Sequence, residues 1–280
     1  MTATAAPAPR LAERIRPTGE YEASNALLKD PPALRARLAE SGYLFFRGAL
    51  DRERLLDARL DILKLCRAHG WIKPGSDLQD GVYSGIPFPD HPAYNKLYRE
   101  LLKLNSFNGF AVSPEILRIC ETVLDGPVQS HRRTIARVSF PRHYENTTQP
   151  HQDFFYIRGT PQTYTAWIPC GDCPNELGGL ALLEGSHVQG FLPHIPAIGA
   201  GNHGIPTAGW PNRWLTTDYR AGDFVLFHSH TIHGALDNHT ADRLRLSFDF
   251  RYQRQGEAID PGSLRSHLGL LEQEAEKRDA

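Results

Sequence analysis

Arg243-Leu-Arg-Leu-Ser-Phe-Asp-Phe-Arg-Tyr252 is the stretch in which apolar and polar residues alternate most strictly. Successive side chains of a β-strand point to opposite faces, so this stretch predicts a strand with one apolar face. The other face carries arginine, serine and aspartate side chains. It is either the solvent side of a half-buried strand, which is a common pattern, or the polar wall of a cavity.

The same two-residue period recurs in the preceding sequence, where Gly, Pro and Asn residues separate the segments. The further predicted strands are residues 133–140, 149–157, 163–168, 180–183 and 224–232. Strands that follow one another without intervening helices favour an antiparallel sandwich or jelly roll. We therefore expect a mainly β protein with flanking helices, whose jelly-roll core spans about residues 128–255.

Residues 31–125 are instead predicted to be mainly helical, with one strand over Tyr43–Phe46. Asp51 is a suitable N-cap, and Ser113-Pro114 combines an N-cap with proline at the first helical position. Each predicted helix carries an apolar stripe, so we expect these N-terminal helices to buttress one outer face of the sheet. A last helix is predicted over residues 264–276.

The bulk composition narrows the function classes. The chain has 31 basic and 32 acidic side chains among 280 residues, so no nucleic-acid partner is expected. A run of roughly 18 apolar residues, as a membrane span requires, is not found, nor is the apolar core of a secretory signal. The 4 cysteines favour reduced thiols and a cytoplasmic location. We expect a disordered tail over residues 1–15 and a single domain over residues 16–280.

His151-Gln-Asp153 lies in one of the predicted strands. The first and third side chains of such a triplet share a face, so His151 and Asp153 can reach one metal ion while Gln152 points away. The plain alternative is a hydrogen-bonded histidine and aspartate at a surface strand end. The third ligand is best assigned to His233, because it lies at the end of its predicted strand, just before Gly234, where a loop opens.

Two imidazoles and one carboxylate bind one face of an octahedral ion and leave the opposite face open for substrate and oxygen. This facial triad is typical of non-haem Fe(II) oxygenases. Arg245 offers a planar guanidinium suited to a carboxylate, such as that of the dicarboxylate 2-oxoglutarate. Ser247 adds a hydroxyl on the same face of the alternating strand. Arg243 shares that face and is the alternative anchor.

The ordered set of motifs resembles the phytanoyl-CoA dioxygenase family of Fe(II)/2-oxoglutarate-dependent oxygenases, over about residues 30–255. The matching residues are Gly42-Tyr-Leu-Phe-Phe-Arg-Gly48, His151-Gln-Asp153, Trp167, Glu176-Leu-Gly-Gly-Leu180, Gly185-Ser-His187, Gly222-Asp-Phe-Val-Leu-Phe227, His233-Gly234, Asn238-x-Thr240, Arg245 and Arg251-Tyr252.

The resemblance implies a double-stranded β-helix (jelly-roll) core and iron bound by His151, Asp153 and His233. It implies that the arginine binds 2-oxoglutarate. Aligning the Arg-Tyr pair at 251–252 with the family's strand end selects Arg245, whereas the distance from the histidine falls between Arg243 and Arg245. In similar proteins the strand that carries Thr165 and Trp167 flanks the co-substrate.

The expected activity is that of a dioxygenase that uses Fe(II), 2-oxoglutarate and O2 to hydroxylate an unactivated C–H bond of a small molecule, with release of succinate and CO2. The presence of Asp153 favours hydroxylation or another oxidation over halogenation, because related halogenases lack this carboxylate. One alternative is a cupin-like metalloenzyme that does not use 2-oxoglutarate. Another is a jelly-roll binding protein with a structural metal, whose site would be closed by a fourth ligand.

The substrate is not determined by fold or cofactor. Tyr83, Phe88 and Trp210 are candidates for the apolar walls of its pocket. Residues 190–222 form an aromatic stretch with little periodicity, which predicts an ordered lid or pocket wall because long loops in compact domains are usually functional or disordered. The sequence leaves the oligomeric state open.

Overall fold

Two sheets that face each other form the centre of the molecule in a computed structural model that describes residues 11–278. The strands are β1 (Gly19–Glu20), β2 (Tyr43–Phe46), β3 (Val128–Ser130), β4 (Ile135–Ser139), β5 (Tyr164–Pro169), β6 (Leu180–Leu183), β7 (Ile195–Pro196), β8 (His203–Gly204), β9 (Trp214–Thr216), β10 (Phe224–His228), β11 (His233–Ala235) and β12 (Arg245–Arg254). The helices are α1 (Pro31–Ser41), α2 (Arg52–Ala68), α3 (His91–Leu101), α4 (Asn105–Asn108), α5 (Pro114–Leu124), α6 (Phe154–Ile157) and α7 (Leu270–Arg278).

The large sheet has the order β2-β10-β5-β12-β3, and β4 also pairs with β12. Because β12 is ten residues long, its first half pairs with β4 and its last three residues pair with β3. The small sheet has the order β1-β9-β6-β11, and its pairings are antiparallel except for β1 with β9. The predicted jelly-roll core is confirmed. Residues of both sheets line the space between the two sheets.

The helices cover the outer face of the large sheet, as the apolar stripes predicted. Phe107 and Phe110 pack against Phe248, with ring centroids 4.9 and 5.9 Å apart, and Phe107 stacks on Phe250 at 5.4 Å. Asp51 accepts a hydrogen bond from the backbone N–H of Arg54 and so begins α2 at the predicted N-cap. This packing buries the apolar face of β12 and leaves its polar face directed between the sheets.

The predicted strand over residues 149–157 is wrong. Only His151 forms a β-bridge there, with His233, and Asp153 has helical dihedral angles that begin α6. The backbone N–H of Ile157 bonds to the carbonyl of Asp153 instead of to a neighbouring strand. Strand propensity depends strongly on tertiary context, and the aromatic run 154–156 lacks a partner strand.

The predicted strand over residues 224–232 is two elements. The large-sheet strand β10 ends at His228, and Thr231 closes a turn by donating its N–H to the His228 carbonyl. The chain then enters the small sheet, where β11 begins at His233. This passage of the chain from the large sheet to the small sheet places His233 on the small-sheet side of the space between the two sheets.

The chain ends differ from the expectations. Residues 1–10 of the predicted tail lie outside the described residues, but Leu11 bridges Ala197 and the Glu13 carboxylate accepts hydrogen bonds from Thr207, so the tail does not extend to residue 15. The predicted last helix over residues 264–276 starts later, at Leu270, because Leu268 has a φ of 59°. Within residues 11–278, no helix is both long and apolar enough to cross a membrane.

Candidate metal centre

His151, Asp153 and His233 converge between the two sheets. The Nε2 atoms of His151 and His233 each lie 3.8 Å from Asp153 Oδ1, and one ligand atom from each residue lies within 4.8 Å of the others. All three side chains are buried. The antiparallel bridge between His151 and His233 places the two rings side by side, with centroids 4.1 Å apart, and the first residue of the α6 region supplies the carboxylate.

Both imidazoles are oriented by the same local contact. Nδ1 of His151 lies 2.8 Å from the Gln149 carbonyl oxygen, and Nδ1 of His233 lies 3.0 Å from that of Thr231. A carbonyl oxygen only accepts, so each Nδ1 carries the proton and each Nε2 turns its lone pair toward Asp153. Burial lowers the pKa of His151 to about 3, with a further contribution from His233, and burial also lowers the pKa of His233. Neutral rings are the form that binds a metal.

Asp153 is held by a clamp that the sequence reading missed. Burial alone would raise the pKa of its carboxyl group, but Arg251 and the two histidines outweigh that effect and hold the pKa below its usual range. Arg251 donates from Nη2 and Nε at 3.1 and 3.2 Å, and the Thr165 hydroxyl donates to Asp153 Oδ2 at 2.5 Å. Arg251 could have been found, because it shares the polar face of β12 with Arg245.

The donor set fits ferrous iron. Two neutral imidazole nitrogens and one ionised carboxylate on one side of a common point are the ligands of a facial triad. Among the described residues, the converging group of His, Cys, Asp and Glu side chains consists of these three. A closed structural zinc site would require a fourth protein ligand.

Arg245 lies in the inner pocket between the sheets, beside the three converging side chains. It is buried, its Nη1 donates to Ser247 Oγ at 2.5 Å, and its Cζ lies 5.9 Å from the centre of the Trp167 ring. Its Nε is buried and has no hydrogen-bond partner among the described residues. Arg243 lies outside the pocket, is exposed, and pairs with Asp80 at 3.3 Å. Of the two predicted anchors, Arg245 is therefore the one whose guanidinium lies in the pocket.

A cavity of about 720 Å³ opens onto the converging side chains. Its rim comes from α3, residues 143–148, the turn at 198–202 and residues 267–268. Gly199 permits the closest approach in this rim, because a Cβ on it would lie 2.1 Å from the Thr147 carbonyl oxygen. The predicted pocket wall at 190–222 is thus present in its 198–202 portion, whereas β9 of the same stretch belongs to the small sheet.

Of the three predicted pocket residues, only Phe88 lines the cavity. Tyr83 is buried behind the wall, with its ring 5.1 Å from that of Phe140. Trp210 packs elsewhere, against a small apolar cluster that contains Ile205 and Ile232. Both assignments are wrong, because an aromatic residue type predicts that the side chain is buried but not whether it faces the core or the cavity.

Comparison with known proteins places this geometry in a family. The family model described as phytanoyl-CoA dioxygenase (PhyH) matches residues 39–246. The chain is 30% identical over 253 residues to a protein of Streptomyces arenae named 1-deoxypentalenic acid 11-beta-hydroxylase, covering 84% of this chain and 85% of that protein. It is 29% identical over 248 residues to the protein of the same name in Streptomyces exfoliatus, with the same coverages.

Solved structures show the same fold. The non-haem alpha-ketoglutarate-dependent epimerase SnoN from nogalamycin biosynthesis has a TM-score of 0.55 at 24% identity, covering 83% of this chain and 87% of that chain. The carbocyclase SnoK of the same biosynthesis has a TM-score of 0.56 at 21% identity, with coverages of 82% and 86%. On the family match and the 30% identical relative, the chain belongs to the phytanoyl-CoA dioxygenase family of Fe(II)/2-oxoglutarate-dependent oxygenases.

Proposed function

We propose that His151, Asp153 and His233 bind the iron of an Fe(II)/2-oxoglutarate-dependent hydroxylase that acts on a C–H bond of a small organic molecule. The observation that carries the proposal is the convergence of these three buried side chains beside Arg245 and an open cavity. The two relatives named as hydroxylases support the reaction type. The cavity volume of about 720 Å³ suits a small-molecule substrate.

In this proposal Arg245 pairs with the far carboxylate of 2-oxoglutarate, and Ser247 holds the guanidinium in place. The orphaned Nε of Arg245 supplies a donor that a carboxylate would satisfy. Trp167 forms one side of the same pocket. Thr165, predicted to flank the co-substrate, lines the same pocket, and its hydroxyl donates to the carboxylate of Asp153.

When bound, the iron and the oxoacid supply the oxidising chemistry with O2, and 2-oxoglutarate leaves as succinate and CO2. The protein's own contribution is orientation. The backbone carbonyls of Gln149 and Thr231 fix the ring tautomers, and Arg251 fixes Asp153. The burial of all three ligands keeps solvent from the reacting centre.

We further propose a cytoplasmic location. All four cysteines are free and buried, which fits a reducing compartment. Fractionation of the host cell that recovered the protein with a membrane or in the medium would contradict this location.

The proposed function is tested by adding 2-oxoglutarate to the Fe(II)-loaded protein without oxygen and recording the visible charge-transfer band. We expect the band in the native protein and its loss in Asp153→Ala. A metalloenzyme that does not use 2-oxoglutarate would give no band. A structural metal would be revealed if chelation unfolds the protein instead of only abolishing 2-oxoglutarate turnover.

A further inference from the structure

The walls of the inner pocket and the cavity carry more positive than negative charge. Four arginines line them, which are Arg133, Arg137, Arg245 and Arg251. Two buried carboxylates, Asp153 and Asp249, oppose them. Glu145 lies only at the rim, where its side chain is 62% exposed and faces His143. The lining therefore has more guanidinium groups than carboxylates, and the two arginines that are only partly buried, Arg133 and Arg137, account for the difference.

The iron and the co-substrate of the proposed function do not remove this surplus. A ferrous ion adds two positive charges, and 2-oxoglutarate adds two negative charges, so together they leave the charge of the lining unchanged. Arg133 and Arg137 are only partly buried, so they are the guanidinium groups that an anion entering the cavity can reach.

Arg137 is the arginine best placed to receive that anion. It lies on β4 opposite Ser247 and lines both the inner pocket and the cavity. Its Nε donates to Asp249 Oδ2 at 2.7 Å, and its side chain retains 28% exposure. Among residues 11–278, this Nε bond is the one hydrogen bond of the Arg137 side chain, so its two Nη atoms have no partner there. The free edge of this guanidinium has the planar pair of donors that a carboxylate accepts bidentately.

We propose that the substrate carries a carboxylate and that Arg137, with Arg133 on the same wall, binds it. This inference rests on the proposed function, since it names the substrate class of the same site. Arg133 is anchored through Nη1, which donates to the Tyr156 carbonyl at 2.8 Å. Apolar side chains line the rest of the cavity, including Phe88, Ile135 and Phe140, so the substrate is an acid with a hydrocarbon body.

The neighbouring histidine agrees with this positive field. His267 lines the cavity and receives or donates a hydrogen bond at 2.8 Å with the Tyr98 hydroxyl. Its pKa lies well below the ordinary value, first because of burial and then because of Arg133, Arg137 and Arg251. His267 therefore stays neutral and adds no positive charge to the cavity wall.

The test uses matched pairs of probes on the Fe(II)- and 2-oxoglutarate-loaded protein without oxygen. The probes are 1-deoxypentalenic acid and dodecanoic acid, each beside its methyl ester, with dodecyl phosphate as a further anion. Binding is followed by the change that each probe causes in the charge-transfer band. We expect at least one acid to bind about tenfold or more tightly than its ester, as a charge-assisted hydrogen bond implies.

The variant Arg137→Gln is expected to weaken acid binding by about 10- to 100-fold. It should leave the affinities for the ester and for 2-oxoglutarate unchanged. Because this change leaves Asp249 buried without its partner, the double variant Arg137→Gln/Asp249→Asn repeats the measurement with both charges removed. Arg243→Gln is the matched control, since it removes one exposed arginine outside the cavity.

Several results would overturn the inference: an ester that binds as well as its acid, no binding by either acid, or tighter binding of dodecyl phosphate. If Arg137→Gln weakens 2-oxoglutarate in place of the acid, then the guanidinium serves the near carboxylate of the co-substrate. Failure of the proposed function is distinguishable, because the native protein would then show no charge-transfer band on addition of 2-oxoglutarate.

Discussion

The two faces of β12 are equally buried but are stabilised in different ways. Leu246, Phe248 and Phe250 lie in the apolar core beneath the helices. On the opposite face, Arg245, Ser247, Asp249 and Arg251 are also nearly inaccessible. Three of these polar residues keep a buried atom without a partner, namely Arg245 Nε, Asp249 Oδ1 and Arg251 Nη1.

Along this one strand, the apolar face contributes to stability and the polar face contributes to function. Apolar packing is complete within the protein, whereas the polar face keeps buried atoms without a hydrogen-bond partner among the described residues. Unsatisfied buried polar groups reduce stability, so this face is maintained at a cost to the fold. Substitutions on the two faces should therefore change different measured quantities.

The largest effect is expected from substitution of Asp153, whose carboxylate is bound by Arg251 of the polar face. Asp153→Ala removes the anionic ligand, and 2-oxoglutarate turnover should fall by more than about 100-fold, since the loss of an outer partner alone costs about 10- to 100-fold. Succinate release and iron content measure the effect. Asp57→Ala, an exposed aspartate on α2, is the control and should retain full activity. Undiminished succinate release in Asp153→Ala would disprove the ligand assignment.

The apolar face should instead control stability. Phe248→Ala is expected to lower the free energy of unfolding by about 3–5 kcal/mol, because it opens a cavity against Phe107 and Phe110. Urea unfolding measures the change. The folded fraction should bind iron and 2-oxoglutarate with native affinity. A stability loss below about 1 kcal/mol would show that this face is not the core that the contacts indicate.

Arg245→Gln should affect the co-substrate selectively. The loss of a charge-assisted hydrogen bond is worth about 1.5–3 kcal/mol, so the dissociation constant of 2-oxoglutarate should rise by about 10- to 100-fold. Titration of the charge-transfer band measures it, and iron affinity should not change. Arg243→Gln is the matched control outside the pocket. Equal weakening by the two variants would contradict the choice of Arg245.

The smallest effect concerns pH and the far end of the polar face. His131 Nε2 lies 2.7 Å from the Gln253 side-chain oxygen, and burial lowers the pKa of His131 to about 4. As the pH is lowered from 6.5 to 4, the unfolded chain therefore binds a proton at this histidine, whereas the folded chain does not. The free energy of unfolding falls as the pH is lowered over this range.

His131→Gln should make that fall smaller by about 1–3 kcal/mol. Urea unfolding of the variant and the native protein at pH 7 and pH 4.5 gives the comparison, and it cancels the contributions of the other histidines. An identical loss of stability in the two proteins would show that His131 is not the group that titrates.

The sequence predicted these two faces well because alternation is a local property. The two faces of β12 follow directly from the period of two. The convergence of His151 and Asp153 with His233 was also predicted, although the reason was wrong, since Asp153 follows a bridge and does not share a strand with His151. A bridge between distant segments leaves no periodic signal in either of them.

Contacts between distant segments account for the other failures. Arg251 was recognised as part of the polar face, but its pairing with Asp153 depends on how α6 docks against the sheet. Tyr83 and Trp210 were predicted to line the pocket because they are aromatic, but contacts made in the assembled fold direct both away from the cavity. Composition sets which side chains avoid water, and topology sets where each of them is directed.

The rim of the cavity comes from α3, residues 143–148, the 198–202 turn and residues 267–268. Two of the three proposed metal ligands, His151 and His233, are instead joined by a β-bridge between segments of the jelly roll. Entrance and reaction centre thus belong to separate parts of the architecture. Grafting rim segments from a relative is a direct route to new substrate preferences, because such an exchange replaces none of the three proposed ligands. Sequence changes in these rim segments during evolution can likewise alter the entrance while the three proposed ligands stay the same.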